Sequence, residues 1–257
     1  MKALTRIQRQ FRRQAQAYER FTAADEPGFR ALVSLSAIGS TDAVLDVACG
    51  PGFLTMAFAE RAAQAVGVDA TDAFLHDAHA EADRRGLRNV RFTLGDAERL
   101  PFRDGTFALA VCRAAFHHFP HVERVLAEMR RVVTSGGRLL IADLLTAEDP
   151  AKARYHNRIE RLCDPTHVCA LPASEFTRLF AAHGLTVAFT GRTRIDYALP
   201  AWLSHAGPPP AKVARIRDLM RASVKTDRSG LAVRIEDGDL HFSHTGGAFL
   251  LEKTDRG

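Results

Sequence analysis

The sequence predicts an α/β fold: a doubly wound, mostly parallel sheet with helices on both faces. Two observations carry the prediction. From Ala43 onward, short β-branched runs alternate with stretches whose apolar residues recur at helical spacing, the order that builds parallel sheets. Gly- and Pro-containing turns mark most of the changes from one kind of run to the other.

The elements follow in order. Leu4, Ile7, Phe11, Ala15 and Tyr18 share one face of a leading helix whose arginines lie elsewhere. Pro27-Gly28 is expected to interrupt, with a second helix over 29–38. Residues 44–47 read as a strand, 50–52 as a Gly turn, and the stretch to about Ala63 as a helix. Strand 65–69, a helix 71–85 entered at Thr71, and strands 89–94 and 107–112 follow. The helix 122–133 turns Val122, Val125, Leu126, Met129 and Val133 inward; Ser135-Gly136-Gly137 is expected to end it before a fifth strand over 138–145. Beyond Pro150 come helices at 152–162 and 173–183 and two extended pieces, 185–189 and 195–199. Gly207 and the triple proline 208–210 then precede a helix carrying Val213, Ile216 and Met220. Last, 231–235 and 240–251 flank Asp237-Gly238, a hairpin signal. The expected organisation is a helical cover over 1–40 and one domain over 41–257, with 199–229 as a lid whose apolar lining, Trp202 included, selects a substrate.

Composition narrows the class. With 46% apolar and 25% charged residues in 257, the chain is an ordinary globular protein with room for one core and a modest cap. It has no run of about 18 apolar residues to span a membrane, and the first twenty residues contain no secretion-type apolar stretch. Four scattered cysteines (Cys49, Cys112, Cys163, Cys169) suit free thiols rather than a disulfide framework, so cytoplasm is the expected location. The net charge of +5, concentrated in the N-terminal segment, does not establish nucleic-acid binding.

The most informative stretch is Val44-Leu45-Asp46-Val47-Ala48-Cys49-Gly50-Pro51-Gly52. A Gly turn between strand and helix lets backbone approach a ligand closely, since no Cβ intervenes. A dinucleotide site would want a third Gly three residues after Gly52, where Thr55 stands. Asp46, at the strand end, suits a ligand bearing an ammonium or sulfonium better than phosphates. Asp69, ending the second strand, can accept two hydrogen bonds from a ribose diol, or simply cap a loop.

Asp46 to Gly52, Gly67-Val68-Asp69, Gly95-Asp96-Ala97, Pro101-Phe102 with Phe107, and Leu126 to Gly137 together resemble the class I S-adenosylmethionine (SAM)-dependent methyltransferases. The chain is most similar to the group that includes the ubiquinone/menaquinone C-methyltransferases and natural-product methyltransferases. The resemblance is strong over about 43–145 and weak beyond. It implies a Rossmann-like seven-stranded sheet with an antiparallel last strand, which the C-terminal hairpin would supply. It also implies SAM as cofactor, with Asp46, Gly50 and Gly52 at the methionine part, Asp69 at the ribose, Asp96 at the adenine amino group and Ala97 donating a backbone N–H. Ala48, where many members have Gly, Ala70 and Arg113 complete the cofactor set on the core. Phe11 and Tyr18 join it from the leading helix, which resembles the segment that closes over SAM in this group; the same face could equally be the stripe that docks the helix.

The loop Arg113-Ala114-Ala115-Phe116-His117-His118-Phe119-Pro120 follows the fourth strand, where ligands of parallel sheets lie. Adjacent histidines diverge and seldom share an ion, and Cys163, His167 and Cys169 match no common zinc spacing and lack a fourth ligand, so no metal is expected. His118 or His167 is expected to act as general base or acceptor anchor, with His117 beside them and Asp143 and Asp164 as orienting partners; pocket shaping alone is the other reading. The expected partner is a small-molecule acceptor, a phenol, quinone precursor or amine, with a homodimer left open. A nicotinamide oxidoreductase is disfavoured by the missing Gly. A nucleic-acid methyltransferase is disfavoured by Ala115-Phe116-His117-His118 in place of an Asn/Asp-Pro-Pro-aromatic segment. A SAM binder turned to other chemistry stays open.

Overall fold

The computed structural model describes residues 26–254. Along the chain run α1 (Glu26–Ser36), β1 (Ala43–Val47), α2 (Phe53–Ala59), β2 (Gln64–Asp69), α3 (Asp72–Arg84), β3 (Val90–Leu94) and β4 (Phe107–Arg113). A short 3-10 turn over Phe116–His118 leads to α4 (Val122–Val132) and β5 (Val133–Leu145). The second half contributes α5 (Pro150–Cys163), α6 (Ala173–Ala182), β6 (Leu185–Ala198), α7 (Leu199–Ala206), α8 (Pro210–Ser223), β7 (Arg234–Glu236) and β8 (Asp239–Lys253).

Among the described residues the strands form one sheet in the order β3-β2-β1-β4-β5-β8-β6, with the short β7 paired to β8 off that path. β1 to β5 are parallel, and β8 runs antiparallel between β5 and β6. The last strand of the chain is thus the antiparallel one, reached through Asp237-Gly238, both at positive φ as a type I′ turn requires.

Strand alternation divides the core between the two faces of the sheet. Leu45, Val47 and Ala110 pack with Val125, Leu126 and Met129 of α4 and Phe176 and Phe180 of α6. Val44, Leu109 and Val111 pack on the other side with Phe29 and Val33 of α1, Met56 of α2 and Ala78 of α3. The central strands are buried on both faces, which is why they read as continuous apolar runs.

Several expectations are corrected. The second helix starts at Glu26 rather than 29, so Pro27-Gly28 lie in the first turn of α1, where proline lacks nothing the helix needs; the leading helix lies outside the described residues. α1 is packed into the core, so the cover predicted over 1–40 does not extend through it. Ser135-Gly136-Gly137 lies inside β5 rather than between helix and strand, because Val133 already pairs with Phe107 before a register shift. The pieces 185–189 and 195–199 are one strand, β6, whose polar centre Arg192-Thr193-Arg194 stays exposed along the sheet edge and so lacks apolar alternation. The apolar residues of 199–229 do not line a lid. Trp202, Leu203, Ile216, Leu219 and Met220 turn inward onto Ile159 of α5 and Phe242 of β8, forming a third core of their own.

Candidate functional site

The site is built at the carboxyl ends of the parallel strands. After Val47 the chain turns sharply: Ala48 adopts φ +57°, Cys49 N–H donates to the Val68 carbonyl (3.1 Å), and Gly52 opens α2 from the left-handed region. A Cβ on Gly52 would sit 2.5 Å from the Phe92 ring and 3.0 Å from Ala78, so only glycine allows this close packing. Ala48 takes its left-handed conformation despite its Cβ, a backbone cost of roughly 1–2 kcal/mol.

Asp69 ties this turn to the next strand end. One carboxylate oxygen accepts from Gly50 N–H (2.9 Å) and the other from Thr71 N–H (2.8 Å). Burial raises its pKa, and these N–H groups pull against the rise. Ala70 is half-buried beside it. Asp46 lies deeper and accepts a hydrogen bond from the Thr55 hydroxyl (2.6 Å). Burial pushes its pKa up to about 7, opposed by the Thr55 hydroxyl, reinforced by Asp69 and eased by Arg113. Thr55, notable in the sequence only as a missing glycine, thus holds the cradle's innermost carboxylate. Arg113, at the end of β4, sets its guanidinium over the Phe29 ring at 5.0 Å. Asp96 follows β3 and accepts from Glu98 N–H (2.9 Å), with Ala97 half-buried against the core. Phe11 and Tyr18 lie outside the described residues.

A second group gathers at the ends of β4 and β5. Ala114, at φ +52°, turns the chain so that the 3-10 turn faces Asp143 of β5. Asp143 accepts from the N–H groups of Phe116 (2.6 Å) and Leu144 (2.5 Å), and one of its oxygens lies 2.5 Å from His117 Nδ1. Burial would raise the Asp143 pKa, yet the charge and hydrogen bond of His117 hold it below the ordinary value. For His117 burial works downward, but Asp143 prevails and raises the pKa. The loop 164–169 closes over this turn, Val168 and Cys169 both donating to the His117 carbonyl. His167 is carried to 5.4 Å from His117, and His118 to 4.1 Å, between ring centroids.

The partners differ from those expected. Asp143 pairs with His117, not with His118 or His167, because His117 alone leaves the turn toward β5. Asp164 caps Thr166, whose hydroxyl lies 3.2 Å from His118 Nδ1. His167 Nε2 donates to Asn157 Oδ1 (2.6 Å), an oxygen that also accepts from Ala170 N–H. Burial and the neighbouring His117 depress His118 to about 4 and His167 to about 3, so both rings are neutral at physiological pH and weak as bases. Asn157 escaped the sequence reading; nothing in its own helix marks it, since its partners lie on the loop beyond. Cys163 lies in the third core, apart from exposed Cys169. The groups that do converge on a common point are His156, Glu160 and His244.

The strand order is that of the Rossmann-like methyltransferases. Residues 45–141 match the family model described as a methyltransferase domain. A Bacillus subtilis (strain 168) protein described as the uncharacterized methyltransferase YcgJ is 36% identical over 166 residues, 65% of this chain and 66% of that one. The crystal structure of the B. subtilis YcgJ protein superposes with a TM-score of 0.82 at 28% identity, covering 88% of this chain and 98% of the other. A demethylmenaquinone methyltransferase of Thermus thermophilus is 38% identical over 116 residues, 44% of this chain and 52% of its own. This chain therefore spans about half the length of that menaquinone relative and just under two thirds of its YcgJ relative. Among the described residues no helix is long and apolar enough to cross a membrane.

Proposed function

We propose that the protein transfers a methyl group from SAM to a small organic acceptor of the phenol or quinone-precursor type, with His117 as the base. The cradle fits such a cofactor on its own chemistry. Asp46 is a carboxylate whose pKa burial raises despite Thr55 and Arg113, and a bound ammonium or sulfonium would favour its ionised form. Asp69, at the end of β2, has two carboxylate oxygens held in place by the N–H groups of Gly50 and Thr71, and a carboxylate so fixed can accept from a diol. Gly52, by letting Phe92 and Ala78 pack against it, holds the turn close to the sheet beside these carboxylates. When bound, SAM supplies a methyl group already activated by the sulfonium.

What remains for the chain is alignment and proton removal. The acceptor lies against the loop after β4, and holding it in line with the methyl supplies much of the rate. His117 takes the acceptor's proton on Nε2, while Asp143 fixes the ring through Nδ1–H and stabilises the imidazolium that forms. The His117–Asp143 pair is the single observation that carries this assignment. His118 and His167, held neutral by burial, shape the pocket and donate or accept hydrogen bonds.

The test is a turnover assay following S-adenosylhomocysteine with demethylated quinone precursors and simple phenols as acceptors. His117→Gln should lower turnover by about 10²–10⁴-fold with cofactor affinity retained, whereas His118→Gln and His167→Gln should retain most of the activity. Full turnover in His117→Gln would remove the base from the mechanism. No S-adenosylhomocysteine with any acceptor, from protein that binds it, would point to SAM-dependent chemistry other than methyl transfer.

A further inference from the structure

Outside the methyltransferase cradle, a second polar cluster lies under the helices α7 and α8. His156 and Glu160 stand one turn apart on α5, so both leave the same face of the helix. That face meets β8 at His244. All three side chains are buried, at 1%, 7% and 7% exposure, in a region otherwise apolar. One ligand atom from each lies within 4.8 Å of the other two. Glu160 Oε1 accepts from His244 Nε2 at 2.9 Å. His156 Nε2 lies 3.3 Å from the same oxygen, off the alignment of a full hydrogen bond.

The chemistry of the set is specific. Two imidazole nitrogens and one carboxylate oxygen are the donors of tetrahedral zinc-class sites that keep a fourth position for water or substrate. Around an ion with bonds of roughly 2.0–2.2 Å, donor atoms stand roughly 3.3–3.6 Å apart. The two separations to Glu160, 2.9 and 3.3 Å, are close to that, and the two histidine ligand atoms lie within 4.8 Å of each other. The rings of Tyr197, Trp202 and Phe242 lie 5.3, 6.0 and 5.0 Å from that of His244 and shield the cluster from water.

We propose that His156, Glu160 and His244 bind one divalent transition-metal ion of the zinc class, which clamps α5 onto β8 and seats α7 and α8 above them. The ion would cross-link an element of the insertion's core to the strand that completes the sheet. It shares no residue with the His117–Asp143 pair, although Glu160 is close enough to act on His117 electrostatically, and it does not depend on the acceptor assigned to that pair.

The full chain, stripped with a chelator, is titrated with Zn²⁺ by calorimetry and with Co²⁺ by absorption, and its thermal midpoint is followed in parallel. The site predicts one equivalent per chain, a raised midpoint, and a Co²⁺ spectrum of a four-coordinate nitrogen–oxygen site without thiolate charge transfer. Losing a direct ligand in His244→Gln or Glu160→Gln should weaken Zn²⁺ binding by more than the roughly 10–100-fold that loss of a supporting residue costs. Cys169→Ser, which removes an exposed thiol away from the cluster, should leave binding unchanged. Absence of Zn²⁺ binding by the stripped wild-type chain overturns the site whether or not the variants fold. Equal binding by the folded variants, or a thiolate spectrum, overturns it as well and leaves the three groups as a hydrogen-bonded triad.

Discussion

The cradle at β1 and β2 and the histidine cluster at β4 and β5 occupy the same edge of the sheet but are assembled differently. In the cradle, Asp46, Ala48, Gly50, Gly52 and Thr55 come from ten consecutive residues, and backbone N–H groups of the turn tie it to the end of β2, Cys49 to the Val68 carbonyl and Gly50 to Asp69. In the histidine cluster, His117 finds Asp143 across 26 residues, and His167 reaches it only because loop 164–169 hydrogen-bonds to the His117 carbonyl. Backbone donors and short-range turns hold the first region. Side-chain pairing between distant elements holds the second. A cofactor shared by a whole family suits a rigid local motif, whereas acceptor choice suits parts that can be exchanged without rebuilding the sheet.

If that contrast is right, substitutions in the cradle should move cofactor affinity and leave the histidine pair intact. Asp46 should give the largest effect. Its folded pKa of about 7 stands well above the ordinary carboxylate value, so the folded chain holds that proton more tightly than the unfolded one. The sign is therefore destabilising as pH rises: Asp46 costs nothing below about pH 4, and on the order of a few kcal/mol once it is ionised above pH 7. Asp46→Asn should melt later than wild type at pH 8, and the gap should close toward pH 4. A cationic ligand reverses the balance. S-adenosylhomocysteine affinity should rise from pH 6 to pH 8 with proton release, and calorimetry in buffers of different ionisation enthalpy should show that dependence lost in Asp46→Asn.

Asp69→Ala should come next. It removes a charged acceptor from the ribose and releases Gly50 and Thr71 N–H groups, so affinity should fall about ten- to hundredfold, or roughly 1.5–3 kcal/mol. An unchanged affinity in a folded variant would break the comparison, because the cradle would then not be the cofactor site. Ala48→Gly is the smallest and sharpest probe. It relieves a left-handed alanine, so despite glycine's greater freedom in the unfolded chain it should be neutral or stabilise by up to about 1 kcal/mol in urea titrations. A clear loss of stability would mean that the Ala48 methyl is packed rather than strained.

The sequence alone determined the parallel core, the turn after β1, the carboxylates Asp46 and Asp69, and the hairpin at Asp237-Gly238. Each rests on local periods or on residues adjacent in the chain, and such signals survive without knowledge of the rest of the fold. Tertiary structure decided which histidine meets Asp143, that Thr55 supports Asp46, that β6 is one strand, and that Trp202 and Ile216 belong to a third core rather than a pocket lining. It also decided that His156, Glu160 and His244 converge, although His244 lies 84 positions from Glu160. Pairings of that kind depend on the order in which strands are laid into the sheet. In particular, β8 is inserted antiparallel between β5 and β6, which carries His244 beneath α5. No local spacing encodes that placement, since burial of both sheet faces, summed over the whole chain, selects it.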